Sequence, residues 1–240
     1  MVCRLTKWMD RTLYPCMGDN WDNLLFRAYL MNLLRPEFSC LDYGAGRGNV
    51  EQMNFRGLVA FVAGVDPDRD VLENPFLHEA KIIDLSTNVV PYEDRTFDVV
   101  FSCNVMEHIQ MPDAVFHEIM RVLKPGGMFV SKTTNKWHYV TIIARGTPTW
   151  FHTLYNRLRG RKTVDTFPTV YKCNSKAAIE KCAERAGFRV KKIQLIEGRP
   201  EYLRIMPITY FCGYLYERLV NSTEVLSLFR CGLVFELEKP

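Results

Sequence analysis

The stretch LDYGAGRG at residues 41–48 decides the fold that we predict for this chain. Three glycines at alternate positions, Gly44, Gly46 and Gly48, follow an apolar run and the acidic Asp42. This pattern predicts a strand that ends in a tight turn, because glycine adopts positive φ and lets a ligand approach the main chain closely. A helix is expected next, with free N–H groups that would face a carboxylate or phosphate. The stretch therefore predicts a loop that holds a small charged cofactor.

Four further apolar runs predict that this first strand belongs to a parallel sheet. Each run is rich in β-branched or aromatic residues, and a helical pattern over 113–123 separates the last two. A Lys-Pro-Gly-Gly turn at 124–127 is expected to stop that helix. Strands that alternate with helices indicate an α/β fold with a doubly wound sheet and right-handed crossovers. The four runs are residues 59–65, 80–83, 97–102 and 128–131.

Acidic residues end the second and third predicted strands. Asp66 follows the glycine loop by about 20 residues, where a carboxylate would accept hydrogen bonds from ribose hydroxyls. The alternative is that Asp66 caps the next helix, although Asp68 or Asp70 could do so instead. Asp84 ends the third strand, and the polar residues 86–88 after it equally predict a turn.

The glycine spacing and three later motifs resemble one family. The pattern is G-x-G-x-G, whereas a nicotinamide dinucleotide fold uses G-x-G-x-x-G. LDYGAGRG (41–48), GVDPD (64–68), FDVVFSCNVMEHI (97–109) and VLKPGG (122–127) occur in an order that resembles class I S-adenosylmethionine (SAM) methyltransferases. Within that family the chain is similar to the group that includes the quinone-biosynthesis methyltransferases. The resemblance covers roughly residues 38–133.

The resemblance implies SAM as the cofactor and assigns its contacts. The glycine loop would line the methionine part of SAM, and Asp66 would hold the ribose. Asp84 and Leu85 would flank the adenine, and the end of the fourth strand would border the cofactor. Many relatives carry a larger or more acidic residue in place of Cys103. The predicted cofactor-binding residues are Asp42, Gly44, Ala45, Gly46, Gly48, Asp66, Pro67, Asp84, Leu85, Cys103 and Asn104.

The family's fold implies a seven-stranded Rossmann-like sheet and divides the chain into four parts. We expect an N-terminal helical cap (1–36), with a helix that runs to about Leu34, and a SAM-binding core (37–133). A basic, aromatic substrate lid (134–173) is inserted after the fifth strand. C-terminal helices and strands (174–240) complete the sheet.

Two features of the C-terminal part support this division. A helix capped by Ser175 and strands over 189–196 and 232–237 follow from the local patterns. An apolar run over 205–216 is too short to span a bilayer. We expect it to form a core or oligomer-interface helix, with an interfacial membrane helix as the alternative.

Basic residues are concentrated in and just before the predicted lid. Residues 132–162 contain seven Lys or Arg and no Asp or Glu, while the formal net charge of the whole chain is +4. Trp and Tyr side chains are interleaved, which suits an anionic or membrane-surface acceptor. The alternatives are a packed helix over 139–144 with a solvated basic face, or single-stranded nucleic acid, which the mild overall charge disfavours. The predicted acceptor-binding residues are Trp137, His138, Arg157 and Arg199.

Methyl transfer from SAM demands little covalent chemistry of the protein. The methyl group is already activated on a sulfonium, so the protein aligns the nucleophile, excludes water and removes a proton where needed. His108 is the candidate base, because histidine titrates near neutral pH; the alternative is a packed, hydrogen-bonded histidine. An Asn/Asp-Pro-Pro-aromatic motif is missing after the fourth strand, which disfavours methylation of amide-type nitrogens.

The acceptor expected from these residues is a small-molecule, lipid-like or glycan-linked compound, with the methylated atom left open. An RNA methyltransferase and a SAM-binding scaffold without catalysis are the alternatives.

The eight cysteines are scattered without a C-x-x-C pair, which predicts buried thiols rather than metal ligands or disulfides. No secretion leader is visible, so a cytoplasmic protein is expected, with peripheral membrane contact as an option and the oligomeric state left open.

Overall fold

The computed structural model describes residues 4–147 and 168–240 of the chain, and these contain seven strands and six α-helices. The strands are β1 (Ser39–Tyr43), β2 (Phe61–Asp66), β3 (Glu79–Ile82), β4 (Phe97–Cys103), β5 (Leu123–Thr134), β6 (Arg189–Ile196) and β7 (Gly232–Glu238). The helices are α1 (Arg4–Leu13), α2 (Trp21–Met31), α3 (Pro112–Val122), α4 (Tyr139–Gly146), α5 (Lys176–Ala186) and α6 (Pro207–Asn221).

All seven strands form one mixed sheet in the order β3-β2-β1-β4-β5-β7-β6. The pairs β1–β2, β1–β4, β2–β3 and β4–β5 are parallel, and Cys40 of β1 lies opposite Val62 on one side and Val99 on the other. The side chains of β1 are buried on both faces, as central parallel strands require. The predicted α/β fold with a mostly parallel, seven-stranded sheet is therefore confirmed.

The chain divides into two compact units. The sheet unit comprises Asp22–Thr133, Thr169–Gln194 and Leu233–Pro240. Its core includes four phenylalanine rings, from α3, β5, β7 and Phe188 in the link from α5 to β6, and the contacting pairs have centroids 5.2–6.4 Å apart. The helical unit comprises Met1–Trp21, Thr134–Pro168 and Leu195–Gly232, and its described helices are α1, α4 and α6. The four-part division expected from the sequence stays a prediction.

The prediction of a helix directly after the glycine loop is wrong. In the connection from β1 to β2, all of which is described, the only helical element is a 3₁₀ turn at Glu51–Met53. Asn54 adopts an extended conformation and Gly57 has φ +82°, so the chain reverses before a second turn can form. The Arg27 guanidinium donates to the carbonyl oxygens of Gln52 and Asn54, both at 2.7 Å, and so satisfies acceptors that a longer helix would use.

Two other boundaries differ from those expected. The fifth strand begins at Leu123 rather than residue 128, because Leu123 is already extended and pairs with Phe97. The Lys-Pro-Gly-Gly segment thus belongs to β5, where Gly126 and Gly127 exchange backbone hydrogen bonds with Lys239 after β7. In the N-terminal part, α2 ends at Met31 instead of about Leu34, since the chain there continues in turns.

Candidate cofactor site at the glycine loop

A cleft opens in the sheet unit at the carboxyl ends of β1 and β4, where the strand order reverses. Ligands of open α/β sheets bind at such a switch point. The cleft has a volume of about 170 Å³. It is lined by Asp42, Gly44, Ala45, Gly46, Arg47, Gly48, Asn49, Val50, Met53, Asn74, Phe76 and Cys103. Six of the predicted cofactor residues therefore lie along one cavity.

The three glycines of the loop leave space for different neighbours. All have positive φ. A Cβ atom on Gly44 would overlap the Val105 side chain, and one on Gly48 would lie 2.7 Å from the Asn74 Oδ1 atom. At Gly46, by contrast, no heavy atom lies within 4 Å of the Cβ position. Gly44 and Gly48 thus satisfy internal packing, whereas Gly46 leaves the cleft open to a ligand.

Asp66 closes the glycine loop from β2. Its Oδ2 atom accepts the Gly46 N–H at 2.9 Å, and its Oδ1 atom accepts the Asp68 N–H at the same distance. Burial raises the pKa of Asp66, and these two N–H groups act in the opposite direction. Because each carboxylate oxygen has a second lone pair, a bond to a ribose hydroxyl stays compatible with this geometry. The ribose contact of Asp66 stays a prediction.

Asn74 supports the loop from the other side and was not expected from the sequence. Its Nδ2 atom donates to the carbonyl oxygens of Ala45 at 3.1 Å and Gly46 at 3.0 Å. Its Oδ1 atom accepts the Phe76 N–H at 2.9 Å. The side chain is buried, so these hydrogen bonds hold the loop in one conformation. The only sequence signal was the Asn-Pro pair at 74–75, which predicts a turn but not its partner.

The electrostatics of the cleft favour a cationic ligand. Asp42 is buried in the lining, and desolvation, followed by the charge of Asp66, raises its pKa well above the usual range. A positive group placed beside Asp42 would remove this penalty and return the carboxylate to its charged form. Burial raises the pKa of the Cys103 thiol to about 12, so this side chain is neutral. Its Sγ atom donates to Asn23 Oδ1 at 3.6 Å.

Lys132 lies beside this cleft rather than on a basic surface. It pairs with Cys103 in the β4–β5 register, and its ammonium is buried. The Nζ atom donates to Asp22 Oδ2 at 2.6 Å and to Asn23 Oδ1. The Lys132 carbonyl accepts the N–H of Asn104, which has φ +58°. Lys132 therefore does not belong with the basic residues counted over 132–162, because its charge is neutralised inside the sheet unit.

Other predicted cofactor residues lie outside the cleft lining. Asp66, Pro67, Asp84, Leu85 and Asn104 are not among the described residues that line it. Asp84 is exposed in a turn, where the Ser86 N–H and hydroxyl both donate to its carboxylate at 2.8 Å and lower its pKa. Leu85 is 53% exposed. An adenine contact for this pair stays a prediction.

The predicted base His108 lies in a 3₁₀ turn, Met106–His108, which follows β4 after Asn104 and Val105. It is half-buried, and its backbone N–H donates to the Val105 carbonyl at 2.9 Å. Glu107 is buried beside it, accepts the Thr133 hydroxyl at 2.6 Å, and through its carbonyl accepts the N–H of Val170. Glu107 therefore has a structural role, while the role of His108 as a base stays a prediction.

Two predicted acceptor residues lie at the start of α4 in the helical unit. Trp137 is 43% exposed, with Lys136 Nζ 5.1 Å from its ring centroid. His138 is buried, and its Nε2 atom lies 3.4 Å from Glu197 Oε2. Burial lowers the pKa of His138 to about 3 and raises that of Glu197 to about 8, so the pair is neutral. Arg157 lies outside the described residues.

Arg199 was predicted to bind the acceptor, but it is buried in an ionic network. Its Nε atom donates to Glu201 at 2.6 Å, and its Nη atoms donate to the carbonyls of Met17 and Gly18, both at 3.1 Å. The side chain is only 3% exposed. Because its donors are used within the helical unit, the structure gives no support to a substrate-binding role.

The fold and the cleft together define a class of protein. A mostly parallel sheet, a glycine loop at the switch point and an open Cβ position at Gly46 are the features of a class I methyltransferase domain. The residues present fit SAM, since the buried Asp42 carboxylate suits a cationic ligand and the loop leaves room beside it.

Comparison with known proteins agrees with this class. A family model described as a methyltransferase domain matches residues 41–131. This segment is a methyltransferase domain of the class I family, whose cofactor is SAM. The chain is 33% identical over 125 residues to sterol 4-C-methyltransferase strm-1 of Caenorhabditis elegans, covering 45% of this chain and 37% of that protein. It is 34% identical over 104 residues to a ubiquinone biosynthesis O-methyltransferase of Neisseria meningitidis, covering 40% and 44%.

The alignments with these curated relatives span less than half of each relative's length. Among solved structures, the methyltransferase in a complex with the Haloferax volcanii Trm112 activator has a TM-score of 0.60 at 17% identity, covering 98% of this chain and 93% of that one. A geranyl diphosphate methyltransferase with GPP and sinefungin has a TM-score of 0.57 at 14% identity, covering 89% and 78%. At these identities the structures establish the shared fold.

Proposed function

We propose that this chain is a SAM-dependent methyltransferase that acts on a small, lipid-like acceptor. The observation that carries the proposal is the glycine-loop cleft, with its open Cβ position at Gly46 and its buried Asp42. Two curated relatives are named for sterol methylation and ubiquinone biosynthesis, and both names concern lipids. They support a lipid-like acceptor for this chain.

The residues proposed to hold SAM follow from the cleft. Gly46 and Ala45 would contact the methionine portion, with Asp42 beside its positive charge. Asp66 would accept a ribose hydroxyl, and Asp84 with Leu85 would cover the adenine. Gly44, Gly48, Pro67, Cys103 and Asn104 would complete the contacts. When bound, SAM supplies a methyl group activated by the sulfonium; the protein's task is to orient the acceptor and exclude water.

Deprotonation of the acceptor is assigned to His108 in this proposal. The residue ends the 3₁₀ turn that follows β4, and Cys103 and Asn104, at the end of β4, border the cofactor in our assignment. A neutral imidazole can accept a proton from a hydroxyl or amine as the methyl group is transferred. We also propose an anionic acceptor, supported by the half-buried Lys136, whose ammonium lies 5.1 Å from the Trp137 ring centroid, and by the exposed Arg145.

The test is transfer of a labelled methyl group from SAM to separated cell fractions by the purified chain. We expect label in the lipid fraction, most strongly in its anionic part, and none with the Gly46→Val variant. Label in RNA would contradict a lipid-like acceptor and would identify the chain as an RNA methyltransferase instead. Binding of SAM by calorimetry without transfer to any fraction would instead identify a SAM-binding scaffold.

A further inference from the structure

The α6 helix of the helical unit has polar groups on its buried side and large apolar residues on its exposed side. Its buried side includes Glu217 and Tyr210, and Glu217 accepts hydrogen bonds from Tyr14 and Asn221. Its outer side carries four large apolar residues, which are between 50% and 73% exposed. With 100° per residue, these four lie within an arc of about 80°. We call them the α6 stripe: Ile208, Phe211, Leu215 and Leu219.

The α6 stripe lies between two other helices. Tyr214 and Tyr216 are about 160° apart on the wheel of α6, one on each flank of the stripe. Tyr214 contacts Tyr14, directly after α1, with ring centroids 6.1 Å apart. Tyr216 contacts Tyr139 of α4 at 4.8 Å. The stripe therefore occupies the outer surface of α6, with α1 on one flank and α4 on the other.

Both flanking helices also carry exposed apolar residues. On α1, Leu5 and Trp8 are more than half exposed, and on α4 the same holds for Ile142 and Ile143. Single exposed apolar residues are common on protein surfaces, but a contiguous patch marks a site of interaction. Tryptophan is enriched where a protein meets the headgroup region of a bilayer, which gives Trp8 a place at such a surface.

The charges on these three helices have one sign at the surface. Every Lys and Arg on them is exposed: Arg4, Lys7, Arg11, Arg145 and Arg218.

Their two acidic residues, Asp10 and Glu217, point inward instead. Asp10 accepts the Tyr210 hydroxyl at 2.8 Å and the Arg204 guanidinium at 2.6 Å. Glu217 is bonded to Tyr14. The outer surface of these described helices thus combines apolar and cationic side chains without a carboxylate.

We propose that this surface of the helical unit docks onto a lipid bilayer that carries anionic headgroups. Apolar side chains would enter the headgroup boundary while the Lys and Arg side chains pair with lipid phosphates. A second copy of the chain fits less well, because a symmetric dimer would place like charges against one another. Among residues 4–147 and 168–240, the structure contains no helix that could span a bilayer.

The docking surface extends the proposed function by giving the chain access to lipid-like acceptors. The test uses the full chain without SAM or acceptor, so failure to bind and failure to transfer methyl groups are separate results. Cosedimentation is measured with vesicles of phosphatidylcholine alone and of phosphatidylcholine mixed with phosphatidylglycerol. We expect binding to the mixed vesicles that weakens with added salt.

Two variants separate the apolar and cationic contributions. F211S/L215S is expected to weaken binding about tenfold or more, since two apolar side chains no longer leave water. R4Q/K7Q/R11Q is expected to weaken it roughly 100-fold and to remove most of the salt dependence. Matched controls in the sheet unit, L58S/L72S and R69Q/K176Q/K181Q, replace equally exposed residues and should bind as the parent does.

A direct measurement complements these variants. Brominated lipids should quench the fluorescence of Trp8, and W8F should lose that part of the quenching. The proposal is overturned if the parent chain does not bind the mixed vesicles, or if the controls weaken binding as much as the test variants. It is also overturned if the chain forms a dimer that F211S/L215S abolishes, because a second copy would then cover the stripe.

Discussion

Replacing Gly46 by alanine should separate cofactor binding from folding. Gly46 has φ +51° and an open Cβ position, and it is one of the residues that line the cleft. Gly57 has φ +82° and an equally open Cβ position, but it is not among the residues that line the cleft. Alanine at either site is strained by the left-handed conformation, at about 1–2 kcal/mol. Both variants should therefore unfold a few degrees below the parent chain, at about 2–4 °C for each kcal/mol.

Only Gly46→Ala should also weaken SAM binding. Its methyl group would enter a cleft of about 170 Å³, and overlap with a closely fitted ligand costs roughly 1–3 kcal/mol. The dissociation constant for SAM should rise about 5- to 150-fold, while Gly57→Ala leaves it unchanged. Isothermal titration calorimetry with SAM measures both values, with thermal unfolding as the check on folding. Equal affinities for Gly46→Ala and the parent chain would refute the assignment of this loop to the cofactor.

Three further outcomes test other parts of the structure. Asn74→Ala removes buried hydrogen bonds to the loop and should cost about 1–3 kcal/mol in urea unfolding, with weaker SAM binding in calorimetry; unchanged affinity would mean that the loop holds its shape without them. The pKa of Glu197 is raised to about 8, above its unfolded value, so its contribution to stability is present below about pH 4.5 and lost as pH rises through 8. In unfolding measured across that window, Glu197→Gln should flatten the decline, and an unaltered slope would point to another group. His108→Gln should lower kcat about 10²- to 10⁴-fold at unchanged SAM affinity, and full activity would identify a packed histidine instead.

The sheet could be predicted from the sequence because its signals are local. Runs of β-branched and aromatic residues mark β2 and β4, the glycine loop marks the end of β1, and Gly187 ends α5 at φ +86°, as a helix-terminating glycine does. The glycine spacing was informative for the same reason, since the turn needs positive φ within a few residues. These features depend on backbone conformation and burial, which a short window of sequence encodes.

The features that could not be predicted depend on partners distant in sequence. Asn74 contacts carbonyls 28 and 29 residues earlier, and Lys132 pairs with Asp22, 110 residues away. Arg199 looked like an anion ligand by residue type, yet it bonds to the chain near Gly18, about 180 residues before it. For charged and polar side chains, function depends on whether the fold already supplies a partner.

The position of β7 has a consequence for synthesis of the chain on the ribosome. β7 lies between β5 and β6, although it follows both of them along the chain. At about 5–20 residues per second, the roughly 100 residues between β5 and β7 take about 5–20 s to translate. During that time the hydrogen-bonding edge of β5 has no native neighbour, and an open edge invites pairing with other chains. The nascent protein should therefore depend on chaperones most strongly in this interval.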